Sequence, residues 1–395
     1  MTTSGQFFEV PLYFFPSSIG GATVVAEKLA WGLVQQGHEV TNVCLSHRAA
    51  DQDMTVFDTP FGRTVAINNV FPGPDNRFSS PVATSLLAEV AEIVQPDVIV
   101  VHAVQNMGIM DFLRDPKWLA RARIVAHDFF WGCLQGFRTL PDGTRCHRDI
   151  GALSCRQCAW FPGLIEETYR SARQILNGCH AVVFPSDFLR RGYGEIFGDA
   201  PGNAHVLSNP DRAEMILPLG TDLPPAPGLA ERQAGKTVYG FVGGPGETKG
   251  WTLIRQFIDQ ANGGADSHVV LFDIGRGTAR PWYIGQQGPG VTVADPFHWT
   301  YAAQALGAID VMLMPSWVQE SFGLAAREAL SLGVQTVIRP SGALAELAGH
   351  AHVVMAEVGD TAASLSHKLR NDDTDGKPVW SATSIGDYVD RLLAI

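Results

Sequence analysis

The stretch Gln319–Leu330, QESFGLAAREAL, sets two carboxylates, Glu320 and Glu328, eight positions apart where an apolar run gives way to a helical one. On one continuous helix they would lie roughly 80° apart on one side. Ser321-Phe322-Gly323 is a poor helix interior, however, so the spacing predicts a loop carrying Glu320 and a helix carrying Glu328 in its first turns. The N–H groups of Phe322, Gly323 and Leu324 would then lack helical partners and form an anion site. The plain alternative is a helix start whose acids favour its dipole. Gly20-Gly21 lets the backbone approach a ligand without a Cβ in the way, or makes a simple tight turn. Lys249, at the end of FVGGPGETKG, is a point charge suited to a leaving anion, although most lysines are solvated surface groups. His127-Asp128 ends the run RIVAHDF, where a histidine can orient a ligand or serve as a satisfied structural group.

A second group of reactive side chains is Cys133, Cys146, Cys155 and Cys158, four of the six cysteines within 26 residues. The Cys155-x2-Cys158 pair has the spacing of a metal knuckle, and four thiolates would hold a structural zinc ion with no open coordination position. His147 is a spare ligand. A loop of free thiols, or two disulfides in an oxidising compartment, are the alternatives.

These residues need a scaffold, and the patterning supplies one. Short apolar runs alternate with helical stretches: ATVVAEKLAWGLVQQ with Val24, Val25, Leu29 and Leu33 at helical spacing, then HEVTNVCL, SLLAEVAEIV, DVIVVHA, RIVAHDF and HAVVFPS. That alternation predicts a parallel sheet covered on both faces, with ligands at the carboxyl ends of its strands, where His102, His127, Asp128 and Ser186 fall. A Pro- and Gly-rich stretch, 217–235, reads as a linker. A second series follows, from TVYGFVGG through HVVLFDIG, VTVAD and DVMLMPS to VQTVIR. The expected organisation is an N-terminal α/β domain, 1–216, with a Cys-rich insertion at 131–163, and a C-terminal one at 236–378. Residues 379–395 are expected as a helix crossing back to the first domain. A cleft between two such domains is the default ligand site.

At 395 residues, 46% apolar and 17% charged, the chain fits two buried cores rather than a disordered polymer. A net charge of −11 excludes non-specific nucleic-acid binding as the main activity. No signal peptide or membrane-spanning run is visible, which leads to the expectation of a cytoplasmic protein, with peripheral association at the inner membrane face as a variant. Arg190 and Arg191 are a weak membrane signal beside a solvated helix face.

PSWVQESFGLAAREALSLGVQTVI with SGALAEL resembles the Glu-x7-Glu segment of family 4 retaining glycosyltransferases. GGATVVAEKLAWGLVQQGHEV, PDVIVVHAVQNMG, VVFPSDFLRRGY and FVGGPGETKG follow in that family's order. The resemblance implies the two-domain GT-B fold, two Rossmann-like doubly wound α/β domains facing across a cleft. It implies that Glu328 holds the ribose of a nucleotide, that Glu320 faces the donor sugar, and that the backbone at Ser321, Phe322, Gly323 and Leu324 holds the diphosphate. Gly20, Gly21, Gly243 and Lys249 join that donor site, Phe297 lies where the base packs, and His127 lies beside the reacting sugar. His102 and Asn209 match further strand-end positions, and Trp299 and Trp317 are candidates to stack on sugars. One departure stands out: the family's arginine five residues before the lysine is Gly244 here, and Arg276 in DIGRG is the expected substitute.

The implied activity is transfer of a sugar from a nucleoside-diphosphate donor, UDP or GDP type, to a saccharide or lipid-linked saccharide hydroxyl, in polysaccharide or surface-glycan synthesis. Retention would proceed by front-face internal return, without a protein nucleophile, and His127, Lys249 and Glu320 would be the catalytic residues. No catalytic metal is expected, because no Asp-x-Asp pair sits at a suitable strand end. The rival readings are an epimerase or hydrolase of the same fold and a catalytically silent binding module.

Overall fold

The computed structural model describes residues 4–15, 20–46, 49–71, 78–133, 136–138, 140, 146, 155, 165–214, 226–264, 266–272, 288–295 and 297–395. Arg276, His147 and Cys158 lie outside the described residues. The chain divides into two compact units, Met1–Pro210 with Ile385–Ile395, and Asp211–Ser384.

Unit 1 is built on an eight-stranded sheet of order β3-β4-β2-β1-β5-β6-β7-β8. Its strands are β1 (Gln6–Val10), β2 (Glu39–Leu45), β3 (Met54–Thr59), β4 (Gly62–Ile67), β5 (Val98–Val101), β6 (Ala122–Val125), β7 (Ala181–Phe184) and β8 (Ala204–Val206). All pair in parallel except the edge hairpin β3–β4, which the reading of the sequence did not anticipate. Gly62 makes that hairpin possible: its φ is 95°, and a Cβ there would lie 2.4 Å from the Val40 carbonyl oxygen. The central strands are near-continuous apolar runs, VIVV, ARIV and AVVF, because helices cover both faces.

The helices begin and end where the sequence provides for it. Helix α1 (Gly21–Gln35) starts from Gly20 at φ 83° and is followed by Gly37 at φ 85°. Helix α2 (Pro81–Val94) opens on a proline, whose missing N–H costs nothing there, and closes on Gln95 in the left-handed conformation. Helix α3 (Ile165–Gly178) precedes β7. Helix α4 (Asp187–Phe197) is capped by the Ser186 hydroxyl, which accepts from the Leu189 N–H. The core on one face joins Phe8, Val10, Leu87, Ile99, Val101, Phe129, Phe184 and Tyr193.

Unit 2 carries a six-stranded parallel sheet of order β11-β10-β9-β12-β13-β14. Its strands are β9 (Thr237–Val242), β10 (Ser267–Phe272), β11 (Val291–Ala294), β12 (Val311–Met314), β13 (Gln335–Ile338) and β14 (Val353–Met355). Helix α5 (Leu229–Gln233) lies inside the stretch read as linker. Gly228 ahead of it presses on Val238 and Arg232 pairs with Asp310 at 2.7 Å, so this end of the stretch is packed on unit 2. Among the described residues its other α-helices are α6 (Trp251–Asn262), α7 (Ala302–Gly307), α8 (Leu324–Ser331) and α9 (Ala362–Arg370), the last opened by a capping box between Thr361 and Ser364.

The final helix, α10 (Ile385–Leu393), returns to unit 1 and lies against α1. Gly32 allows that approach, since a Cβ there would meet Val389 at 2.6 Å and Ile385 at 2.7 Å. Among the described residues no helix is long and apolar enough to cross a membrane.

Candidate functional site

In each unit the strand order reverses at one point, and the chemistry-bearing side chains gather there, as open α/β sheets require. In unit 2 that point lies between β9 and β12. The turn Glu247–Lys249 follows β9, and Gly250 after it adopts φ 79° against the Pro315 carbonyl, with no room for a Cβ. The Thr248 carbonyl accepts hydrogen bonds from the N–H groups of Trp317 (2.8 Å) and Val318 (3.3 Å), which ties the β9 loop to the β12 loop. The result is a direct ion pair: Lys249 Nζ lies 2.5 Å from Glu320 Oε1, with both side chains partly accessible. Two groups chosen separately from the sequence are thus one electrostatic unit.

Glu320 is held by its backbone as well. It forms a parallel bridge with Gly342, and its carbonyl accepts from the Ala343 N–H at 2.7 Å. The Ser341 hydroxyl donates to the carbonyls of Trp317 and Val318, which adds the β13 loop to the cluster. Gly342 sits at φ 64°, and a Cβ there would fall 2.3 Å from the Glu320 carbonyl oxygen.

Helix α8 begins at Leu324, one residue after Gly323 at φ 77°. Glu320 and Ser321 therefore lie on the loop and Glu328 on the helix, where it is 5% exposed. The first amides of α8 have no intrahelical acceptors, as at every helix start. Arg327, which the sequence reading passed over, locks this geometry. Its guanidinium is buried, donates to the carbonyls of Phe322 (2.8 Å) and Ala343 (3.2 Å), and lies between the rings of Phe322 and Trp380. The only signal for it in the sequence is a charged residue one position from Glu328 in an otherwise apolar helix.

The neighbouring candidates fall into place around this cluster. A Cβ at Gly243 would lie 2.6 Å from the Phe241 ring, whereas one at Gly244 would meet none of the described residues within 4 Å. Phe297 packs edge-on against Phe272 with centroids 5.2 Å apart. Trp299 is a buried core side chain, which removes it as a sugar-stacking surface. Trp317 is 51% exposed and carries the Arg339 guanidinium 3.7 Å above its ring.

In unit 1 the strand order reverses between β1 and β5. A cavity of about 240 Å³ opens there, lined among others by Tyr13, Thr23, His102, Gln105, His127 and Asp128. His102 follows β5 and His127 follows β6, and their rings lie nearly parallel, 15° apart, with His102 Nδ1 3.0 Å from His127 Nε2. Behind them, His102 Nε2 lies 3.5 Å from Oε2 of Glu9, which is wholly buried in β1. Burial pushes the Glu9 carboxyl well above the carboxylate range and the His102 imidazole down to about 3. Burial, then the neighbouring His102, hold His127 well below its usual value. Glu9 was missed; the signal was an acid among apolar neighbours in QFFEV.

Asp128 turns back on its own loop, its carboxylate accepting from the Phe130 N–H and its carbonyl from the Tyr193 hydroxyl. Arg190 and Arg191 both pair with Asp187 on α4, and Asn209 is buried. Gly20 adopts φ 83°, a conformation that favours glycine, and a Cβ there would touch none of the described residues within 4 Å. Cys133 follows the β6 loop, its N–H donating to the Phe129 carbonyl, and the Cys146 N–H donates to the Arg138 carbonyl. Among the described residues no three His, Cys, Asp or Glu side chains come together as a metal site.

Two family models match the chain: Glycosyltransferase Family 4 over residues 19–210 and Glycosyl transferases group 1 over residues 236–371. A search of curated proteins found no match. Among solved structures, sucrose-phosphate synthase from Thermosynechococcus elongatus is 16% identical and covers 98% of this chain and 94% of its own, at TM-score 0.63. HepE from Anabaena, solved in complex with UDP and glucose, is 14% identical over 99% and 98% of the two chains, at TM-score 0.62. A trehalose 6-phosphate synthase from Burkholderia multivorans is 12% identical over 99% and 98%, at TM-score 0.61. At such identities the likeness is one of fold.

Proposed function

The chain belongs to the family 4 type of glycosyltransferases, and on that premise we propose that it moves a sugar from a nucleoside-diphosphate donor to a hydroxyl acceptor, retaining the configuration at the anomeric carbon. The observation that carries this reading is the meeting of Lys249 and Glu320 beside the start of α8, at the point where the unit 2 sheet reverses its strand order.

In this reading Glu328 binds the ribose hydroxyls, and the backbone from Ser321 to Leu324, with Lys249, holds the diphosphate. Glu320 and His127 contact the sugar, and Gly20, Gly21, Gly243 and Phe297 complete the donor contacts. The bond from the anomeric carbon to the diphosphate oxygen breaks, and the acceptor oxygen bonds to the same face of that carbon. The acceptor proton passes to the departing diphosphate, so the protein supplies position and charge rather than a nucleophile. Lys249 is held by Glu320 without ligand, and a diphosphate would compete for the ammonium as negative charge grows on it. No catalytic metal enters this scheme. Arg276 is the proposed second cation in place of an arginine at 244.

UDP is the favoured nucleotide, supported by the UDP-containing structure of HepE, with GDP as the alternative. The proposed setting is cytoplasmic synthesis of a polysaccharide or surface glycan, on a saccharide or lipid-linked saccharide. Zinc held by Cys133, Cys146, Cys155 and Cys158 is a separate structural proposal, tested by metal analysis of the purified chain, with about one equivalent expected.

A thermal-shift panel of UDP, GDP, ADP and their sugars tests the donor. Saturation at 100 times Kd stabilises a site by about 2.7 kcal/mol, which a melting scan resolves. NMR of the product's anomeric proton then reads retention. Turnover of donor alone into an isomeric sugar would favour the epimerase, and absence of binding by the whole panel would sink the reading.

A further inference from the structure

The unit 1 pocket contains a feature that sugar transfer as described above does not use. Glu9 is 0% exposed, and among the described residues neither of its carboxyl oxygens has a hydrogen-bond partner. Phe8 and Val10 point into the core on one face of β1, so period-two alternation turns Glu9 to the other face. Among the described residues, His102 is the one basic group within 4 Å of it. The Tyr388 hydroxyl on α10, also fully buried, lies within its electrostatic reach. A carboxylate there would be an uncompensated charge in the interior, and such groups take up a proton instead.

The chain of contacts then has a direction. At 3.5 Å Glu9 Oε2 and His102 Nε2 stand just beyond hydrogen-bond range, and both are buried without a partner among the described residues; a small carboxyl rotation closes that gap and makes a protonated Glu9 the donor to His102 Nε2. His102 then carries its proton on Nδ1 and donates across 3.0 Å to His127 Nε2. His127 is left with its proton on Nδ1, the ring nitrogen not engaged by His102, on a residue that lines the cavity. Were Glu9 ionised, every bond would reverse and His127 would offer a lone pair instead.

We propose that Glu9 is a positioning residue whose protonated carboxyl sets the direction of hydrogen bonding through His102, so that His127 presents Nδ1–H to an oxygen of the sugar in this pocket. The ligand atom selected is a hydrogen-bond acceptor, a hydroxyl or ring oxygen of a neutral sugar. His127 serves as a donor to that oxygen and not as a base. This inference rests on the glycosyltransferase reading for the identity of the ligand, but not for the direction of the chain.

The test is ¹⁵N NMR of the full-length protein labelled at histidine, with His102→Gln and His127→Gln used for assignment. Wild type is expected to show both rings neutral with the proton on Nδ1. Glu9→Gln keeps an N–H donor and should preserve that pattern, whereas Glu9→Leu removes the donor and should move the proton of His127 to Nε2. A wild-type His127 protonated on Nε2, or a His127 unchanged in Glu9→Leu, overturns the proposal. The kinetic counterpart is a roughly tenfold lower kcat in Glu9→Leu, the size of one lost hydrogen bond, restored in Glu9→Gln, with nucleotide Kd unchanged. A wild type that transfers no sugar would refute the functional reading alone, because the ring-nitrogen spectrum decides the direction without turnover.

Discussion

Single side chains in unit 2 carry separable energies. Glu328 is buried on α8 at the end of the sheet where Lys249 and Glu320 meet. As the proposed ribose ligand it contributes a charge-assisted hydrogen bond of about 1.5–3 kcal/mol. Glu328→Ala is therefore expected to raise the nucleotide Kd by one to two orders of magnitude in calorimetry; an unchanged Kd would remove Glu328 from the site. Gly244 makes the opposite experiment available. A Cβ there meets none of the described residues within 4 Å, so Gly244→Arg is expected to fold and to add a cation to the proposed diphosphate site. Affinity for a nucleoside diphosphate should rise about tenfold, and nucleoside affinity should stay constant. The absence of an arginine at 244 was legible in the sequence, but the freedom around its Cβ position was not, because a glycine's surroundings are not local in the chain.

At the scale of elements, the loops decide more than the helices do. Periodicity located α1 and α2, since an amphipathic helix records its buried face in its own residues. It did not reveal the β3–β4 hairpin, whose strands are half exposed and whose turn depends on Gly62 lying against Val40. Nor did it show α5 in the stretch read as linker, where packing on Val238 outweighs a Pro- and Gly-rich composition. The contact of α1 with α10 is similar, since it joins residues more than 350 positions apart through the missing side chain of Gly32. Gly32→Ala would force its Cβ into Val389 and Ile385. A loss of about 1–3 kcal/mol is expected in urea unfolding of unit 1, despite alanine's better helix propensity. A neutral or stabilising result would show that α10 can move away at no cost.

For the molecule as a whole, the buried titratable groups of unit 1 predict how stability depends on pH. His102 ordinarily titrates near 6.5 and is held at about 3 in the fold. Its contribution is complete above 6.5 and is lost as pH falls toward 3, because the unfolded imidazole takes a proton that the folded one refuses. Glu9 acts in the other direction. Its folded value lies well above the ordinary 4.5, so its contribution is present below 4.5 and lost as pH rises through the raised value. Unit 1 should be most stable in mildly acidic solution. Urea titrations across the pH range should show His102→Asn flattening the acid limb and Glu9→Gln the alkaline limb. Limbs unchanged by both substitutions would mean that other groups set the profile.

The sequence by itself determined the family type and the two α/β units, because alternating apolar runs and ordered glycine-, proline- and acid-containing motifs are local records of strands, helices and their ends. It also marked Lys249, Glu320 and His127 as residues worth following. Only the tertiary structure decided that Lys249 and Glu320 are paired and that His127 rests on His102 and Glu9. Those meetings occur where β9 lies beside β12, and where β1 lies beside β5 with β6 next. Strand order is set by which faces the crossover helices can cover, and that is a property of the assembled sheet rather than of any segment.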